Sequence, residues 1–218
     1  CHYCDFHFST SLKKKDELIN ALAMELKLRK EEFKNTTVET IYFGGGTPSL
    51  LTNTELQFII DAVYINYKVS EQPEITLEAN PDDLTKDRII ELSNSLINRL
   101  SIGVQSFFES DLKLMNRAHN SEEAKVCLEE ATKYFDNVTI DLIYGIPGGS
   151  NAQWLKNIEM ALSYNVPHIS SYALTVEPKT ALASFIKKGI IDNVDDEQAH
   201  EQFHIIREKL EEMGFVHY

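Results

Sequence analysis

Strand-like and helix-like stretches alternate along this chain six times, and such an alternation admits few folds. Short apolar runs rich in β-branched and aromatic residues lie at 38–43, 74–79, 99–105, 138–144, 168–175 and 215–218. Amphipathic helical patterns lie at 12–35, from Asn53 or Thr54 onward, and at 84–95, 121–134, 151–164 and 195–213. Strands joined through helices run parallel, so the pattern predicts stacked βα units around one parallel sheet, with no linker or low-complexity stretch dividing them. That sheet is either an open doubly wound layer or a closed or partly closed barrel. Glu78 and Gln105 end their strands, Asp141 lies within the next, and the loop Gly44-Gly45-Gly46-Thr47-Pro48-Ser49 follows the first. In a barrel these groups converge on a single mouth, whereas an open sheet spreads them along a crevice. No βα turn has the Gly-x-Gly-x-x-Gly spacing of a dinucleotide site, so a barrel is expected.

With 218 residues, 43% apolar and 25% charged, the chain can bury the core of one large domain. It has no apolar run of about eighteen residues, so no membrane span is expected. A formal net charge of -13 opposes nucleic acid as a main partner, and the only lysine cluster, Lys13-Lys14-Lys15, reads as a solvated helix start. Three cysteines are too few for a disulfide framework, which points to a reducing, cytoplasmic setting. The first residue is Cys1 rather than methionine, and a natural N-terminus further upstream is expected.

Cys1-His2-Tyr3-Cys4 is the most specific chemical signal near the start. Such a pair can hold half of a structural zinc, act as a redox dithiol or ligate an iron-sulfur cluster. No second pair completes a zinc site, and Cys127, within a helical pattern, reads as a buried apolar residue. The segment Asp5-Phe6-His7-Phe8-Ser9 does not open a helix as a thioredoxin-like pair requires. His2, His7, His168, His200, His204 and His217 have no convincing ligand spacing. His200 and His204, one turn apart, read as a chance pair on an exposed helix face, and His119 as a surface or capping residue.

The cysteine pair, the glycine loop, Glu78-Ala79-Asn80-Pro81, Arg99-Leu100-Ser101-Ile102-Gly103-Val104-Gln105-Ser106-Phe107 and Asp141-Leu142-Ile143-Tyr144-Gly145-Ile146-Pro147-Gly148 occur in the order of a known family. Along essentially its whole length the chain resembles the radical S-adenosylmethionine superfamily, in the branch of oxygen-independent coproporphyrinogen III oxidase and its haem-chaperone relatives. The resemblance implies a partial (β/α)6 TIM-like barrel, with 1–218 as the core domain, truncated at both ends. The family motif is Cys-x-x-x-Cys-x-x-Cys. Cys1 and Cys4 match its second and third cysteines, and the first would fall four residues before Cys1. Lacking it, the 218 residues alone are not expected to hold a normal 4Fe-4S cluster; the family's C-terminal domain, where haem contacts could lie, is also outside them.

By the same resemblance, the cofactors are a 4Fe-4S cluster and S-adenosylmethionine, with haem added in the chaperones. An electron from the cluster splits a carbon-sulfur bond of S-adenosylmethionine, giving a 5'-deoxyadenosyl radical. Cys1 and Cys4 would bind metal, and Tyr3 would lean on the cofactor beside it. Gly45, Gly46 and Thr47 would meet the methionine ammonium and Glu78 the ribose hydroxyls. Gln105 and Asp141 would complete the contacts to the sugar, and Arg117 would pair with the methionine carboxylate. No residue is assigned as catalytic. The oxidase pattern places a fourth cysteine where this chain has Phe6, and tends to carry aspartate where it has Asn80. Both departures favour a haem chaperone, with a haem-acceptor protein and an electron donor as partners, over a coproporphyrinogen III oxidase that converts propionates to vinyls. An iron-free barrel lyase is a further alternative, but no lysine lies in the expected strands.

Overall fold

The computed structural model describes residues 1–6, 9 and 11–218. Its centre is a five-stranded parallel sheet, β1 (Thr37–Phe43), β2 (Lys68–Ala79), β3 (Arg99–Gln105), β4 (Val138–Tyr144) and β5 (His168–Ala173), in the order of the sequence. The sheet curls into a half-barrel, so the expected partial TIM-like α/β barrel is the fold observed. Helices α1 (Lys15–Leu28), α2 (Asn53–Asn66), α3 (Lys86–Ser93), α4 (Glu109–Met115), α5 (Ser121–Tyr134), α6 (Asn151–Ser163), α7 (Ala181–Lys187) and α8 (Asp196–Glu212) fill the connections and flank them.

Strand alternation produces the layering. Ile75 and Leu77 in β2, Leu100, Ile102 and Val104 in β3, and Val138, Ile140 and Leu142 in β4 are almost wholly buried. They share one core with Ile89 and Leu92 of α3, Ala124 and Leu128 of α5, and Trp154 and Ile158 of α6. The intervening residues carry polar groups on the opposite face, where the register aligns Glu78 with Ser101, Ser101 with Thr139, and Asp141 with Ser170. A second apolar cluster, Leu112, Met115, Ile143, Ile146, Leu174 and Leu182, supports the N-terminal segment through Tyr3.

Local signals explain the helix starts. Thr52, rather than Asn53 or Thr54, caps α2, because Glu55 completes a capping box: the Thr52 hydroxyl accepts from the Glu55 amide at 3.2 Å, and the Thr52 amide donates to the Glu55 carboxylate at 2.7 Å. Lys15 sits 2.8 Å from the same carboxylate and ties α1 to α2. Asn120 and Glu123 build a second box on α5.

Two expectations change. The first helix is shorter than 12–35, giving way after Leu28 to a single 3-10 turn, Lys30–Phe33, where Arg29 bonds both Glu25 and Glu32. The described residues 215–218 form no strand: the Phe215 amide closes the end of α8 by donating to the Leu210 carbonyl at 2.9 Å, and Tyr218 turns its hydroxyl to the His168 imidazole. This segment borders a groove of about 880 Å³ along β5.

Candidate functional site

At the C-terminal ends of β1 to β4 a cavity of about 120 Å³ is lined by Gly46, Thr47, Glu78, Asn80, Gln105, Arg117 and Asp141. Six residues singled out from sequence therefore meet in one place. Gly45 joins them through its amide, which donates to Glu78 Oε2 at 3.0 Å. The loop needs its glycines, since Gly45 and Gly46 have φ of 77° and 64°. Gly44 is required for a different reason: a Cβ there would lie 2.8 Å from the Tyr42 ring and 2.9 Å from Glu78 Oε1.

Glu78 accepts a second hydrogen bond, from the Tyr42 hydroxyl at 3.0 Å. Asp141 faces the same cavity, and its pKa is pushed up to about 6, first by burial and then by the neighbouring Glu78 carboxylate. A Ser170 hydrogen bond and the Arg117 charge oppose that rise. Arg117 donates to Asn80 Oδ1 at 2.7 Å and to the Gly103 carbonyl at 3.1 Å, and reaches Cys1 Sγ at 3.5 Å. Its buried Nε has no partner among the described residues.

Gln105 owes its position to an irregularity in the sheet. Gly103 pairs with Asp141, but Gln105 pairs with Leu142, so Val104 is the extra residue of a bulge, and Gln105 adopts φ of 62°. A non-glycine residue in this region carries strain of about 1 kcal/mol or more. The next residues hold it there: Ser106 donates to Asp111 at 2.6 Å and the Phe107 amide to Asn157 at 2.7 Å, all in the interior. The Gln105 Oε1 is buried and has no partner among the described residues.

The N-terminal segment is fastened beside the cavity. The His2 amide donates to the Met115 carbonyl and the Leu182 amide donates to the His2 carbonyl, both at 2.9 Å, while the His2 ring packs edge-on against Phe185. Tyr3 lies close to Arg117, and burial raises its pKa above the usual phenol value. Cys1 is exposed, Cys4 is half-buried next to Tyr3, and Cys127 is buried in the core as expected, its thiol pushed up to about 12 by desolvation. Among the described residues no group of three or more histidine, cysteine or acidic side chains forms a metal site, and this segment offers two free cysteine sulfurs.

One expectation about the histidines is corrected. His119 is buried rather than at the surface: its Nε2 meets the Val104 carbonyl at 3.1 Å, and desolvation lowers its pKa. His200 and His204 lie on α8 with ring centroids 4.6 Å apart, and His7 falls outside the described residues. Tyr42, Asn80, Ser101 and Gly103 complete the surroundings, and none was singled out beforehand as a ligand contact. Tyr42 could have been found by its place two residues before Gly44, on the strand face that alternation assigns to the interior.

Comparison with known proteins adds three findings. A profile of the radical SAM superfamily matches residues 1–161. The chain is 34% identical over 221 residues to the haem chaperone HemW of Bacillus subtilis, and 37% identical over 188 residues to that of Escherichia coli. These alignments cover 100% and 84% of this chain but 58% and 50% of the relatives, so the chain spans about half of their length. The solved structure of the radical SAM enzyme coproporphyrinogen III oxidase (HemN) from Escherichia coli superposes with a TM-score of 0.81 at 25% identity, covering 98% of this chain and 49% of that one.

Proposed function

Since this chain belongs to the radical SAM superfamily, we propose that it is the S-adenosylmethionine-binding part of a haem chaperone. Family membership implies a 4Fe-4S cluster and S-adenosylmethionine, and displaces the iron-free lyase. The observation that carries the reading is the convergence of Glu78, Gln105, Arg117 and Asp141 on one cavity beside the Cys1–Cys4 segment.

The residues present fit these groups. S-adenosylmethionine carries a sulfonium and an ammonium, one carboxylate and a ribose diol. Against these the cavity sets two carboxylates, one guanidinium with an unpartnered N–H, and an amide oxygen with no partner among the described residues. Glu78 would hold the ribose hydroxyls, Gln105 and Asp141 the remaining polar groups of the nucleoside, and Arg117 the carboxylate. Gly46 and Thr47 would face the ammonium. Gly45 is already committed to Glu78 and acts by holding that carboxylate. Asn80 binds Arg117 as a neutral amide, so the guanidinium keeps its full charge for a ligand anion. Cys1 and Cys4 would provide two thiolates to the cluster, a third coming from the cysteine that the motif places four residues before Cys1, with Tyr3 against its edge. When bound, the cluster supplies the electron that cleaves S-adenosylmethionine.

Between chaperone and oxidase, Phe6, the neutral Asn80 and the names of the curated relatives favour the chaperone, with a haem-acceptor protein and an electron donor as partners. The same reading puts the protein in the cytoplasm; no described helix is long and apolar enough to cross a membrane. The test is the full-length, anaerobically reconstituted protein, assayed for haemin binding by its Soret band and for coproporphyrinogen III turnover. Haem binding without decarboxylation is expected. Turnover at the rate of a genuine oxidase would overturn the assignment.

A further inference from the structure

We infer that Tyr42 is a positioning residue that sets Glu78 to accept two hydroxyls of a vicinal diol, and so makes the site selective for ribose over 2'-deoxyribose. This rests on the S-adenosylmethionine reading above and extends it to a residue of β1. Tyr42 pairs in register with Thr76, which puts both side chains on the same face of the sheet as Glu78. Its side chain is 54% exposed, so burial does not explain where the ring lies. What fixes it is the contact of its hydroxyl with Glu78 Oε1, at 3.0 Å, matched by the Gly45 amide on Oε2, also at 3.0 Å.

Among the described residues, each oxygen of that carboxylate thus has one protein donor. An ionised carboxylate has about four acceptor positions, so one remains on each oxygen, and a vicinal diol has two O–H donors to fill them. Removing the phenol hydroxyl would leave Gly45 as the single restraint, and the terminal torsion of glutamate is soft. The missing side chain at Gly44 is the third part of the arrangement, since a Cβ there would collide with both the Tyr42 ring and Glu78 Oε1. A phenylalanine fits the same space, so the hydroxyl can be removed without disturbing the loop.

The experiment measures, by calorimetry on the full-length cluster-loaded protein, the affinities of S-adenosylhomocysteine and its 2'-deoxy analogue for wild type, Tyr42→Phe, Glu78→Gln and the double variant. Tyr42→Phe is expected to weaken the ribose ligand about fivefold to tenfold while leaving the deoxy ligand nearly unchanged, with the melting temperature preserved. In the Glu78→Gln background the same substitution should have little further effect. Equal weakening of both ligands, or a ribose preference that survives Tyr42→Phe, would overturn the role of Tyr42 while leaving the nucleoside site intact. Wild-type protein that binds neither ligand would overturn the underlying reading together with the inference.

Discussion

Asp141 holds its proton unusually tightly because it is largely withdrawn from water and faces Glu78 across the cavity. With a folded pKa of about 6 against an ordinary 3.8, the native state binds a proton that the unfolded chain releases between those values. Stability contributed by this group is therefore complete below about pH 4 and lost as pH rises through about 6. Urea unfolding between pH 4 and 7 should show that decline superposed on other titrations, and Asp141→Asn should remove it. A sulfonium ligand favours the ionised form, so S-adenosylmethionine affinity should rise through the same window, with proton release measurable by calorimetry in buffers of different ionisation enthalpy. Glu78, Gln105 and Asp141 could be located from sequence because strand alternation and strand ends place them. Tyr42 lies in the run Thr40-Ile41-Tyr42-Phe43, which reads as one apolar block until alternation is applied to it and sets Tyr42 on the face of Glu78. The left-handed backbone of Gln105 was not legible, since it follows from a bulge that exists only once β3 and β4 are paired.

At the scale of elements, long amphipathic helices were the easiest to foresee, capped or not: α1 has no side-chain cap, while the seven-residue α7 was missed although Thr180 caps it. Asn120 accepts from the Glu123 amide at 2.9 Å and its own amide donates to the Glu123 carboxylate at 2.8 Å, and neither residue lines the cavity. Asn120→Ala should cost about 1 kcal/mol in urea unfolding and leave ligand affinity unchanged. The seven-residue α4, with no side-chain cap, gave no signal either; its first turn is held by the local bond from Ser106 to Asp111 and by a tertiary one, in which Gln153 donates to Asp111 at 2.8 Å. The sixth strand failed for the opposite reason. Phe215 to Tyr218 have the aromatic and β-branched composition of a strand, but a strand exists only through a ladder, and Phe215 and Tyr218 are engaged instead with Leu210 and His168.

Over the whole molecule the two apolar clusters divide the labour. The larger one holds the sheet to α3, α5 and α6, while the smaller one, built on Leu112, Met115, Ile143, Ile146, Leu174 and Leu182, underlies the cysteine segment. Parts with separate cores open separately in native-state exchange. Hydrogen exchange of the full-length protein should therefore show that loading the cluster protects α4 and α7 more than α2 or α5; uniform protection would contradict this division. The fastening of the cysteine segment also has a temporal side. The Leu182 amide that grips the His2 carbonyl comes 180 residues later in the chain. While the ribosome is still making β1 to β5, the segment carrying Cys1 and Cys4 can be held on one side only, through the bond of the His2 amide to the Met115 carbonyl of α4. If Cys1 and Cys4 hold the cluster as proposed, metal delivery to this segment would come after translation has passed α7, with a reducing environment keeping those thiols free until then.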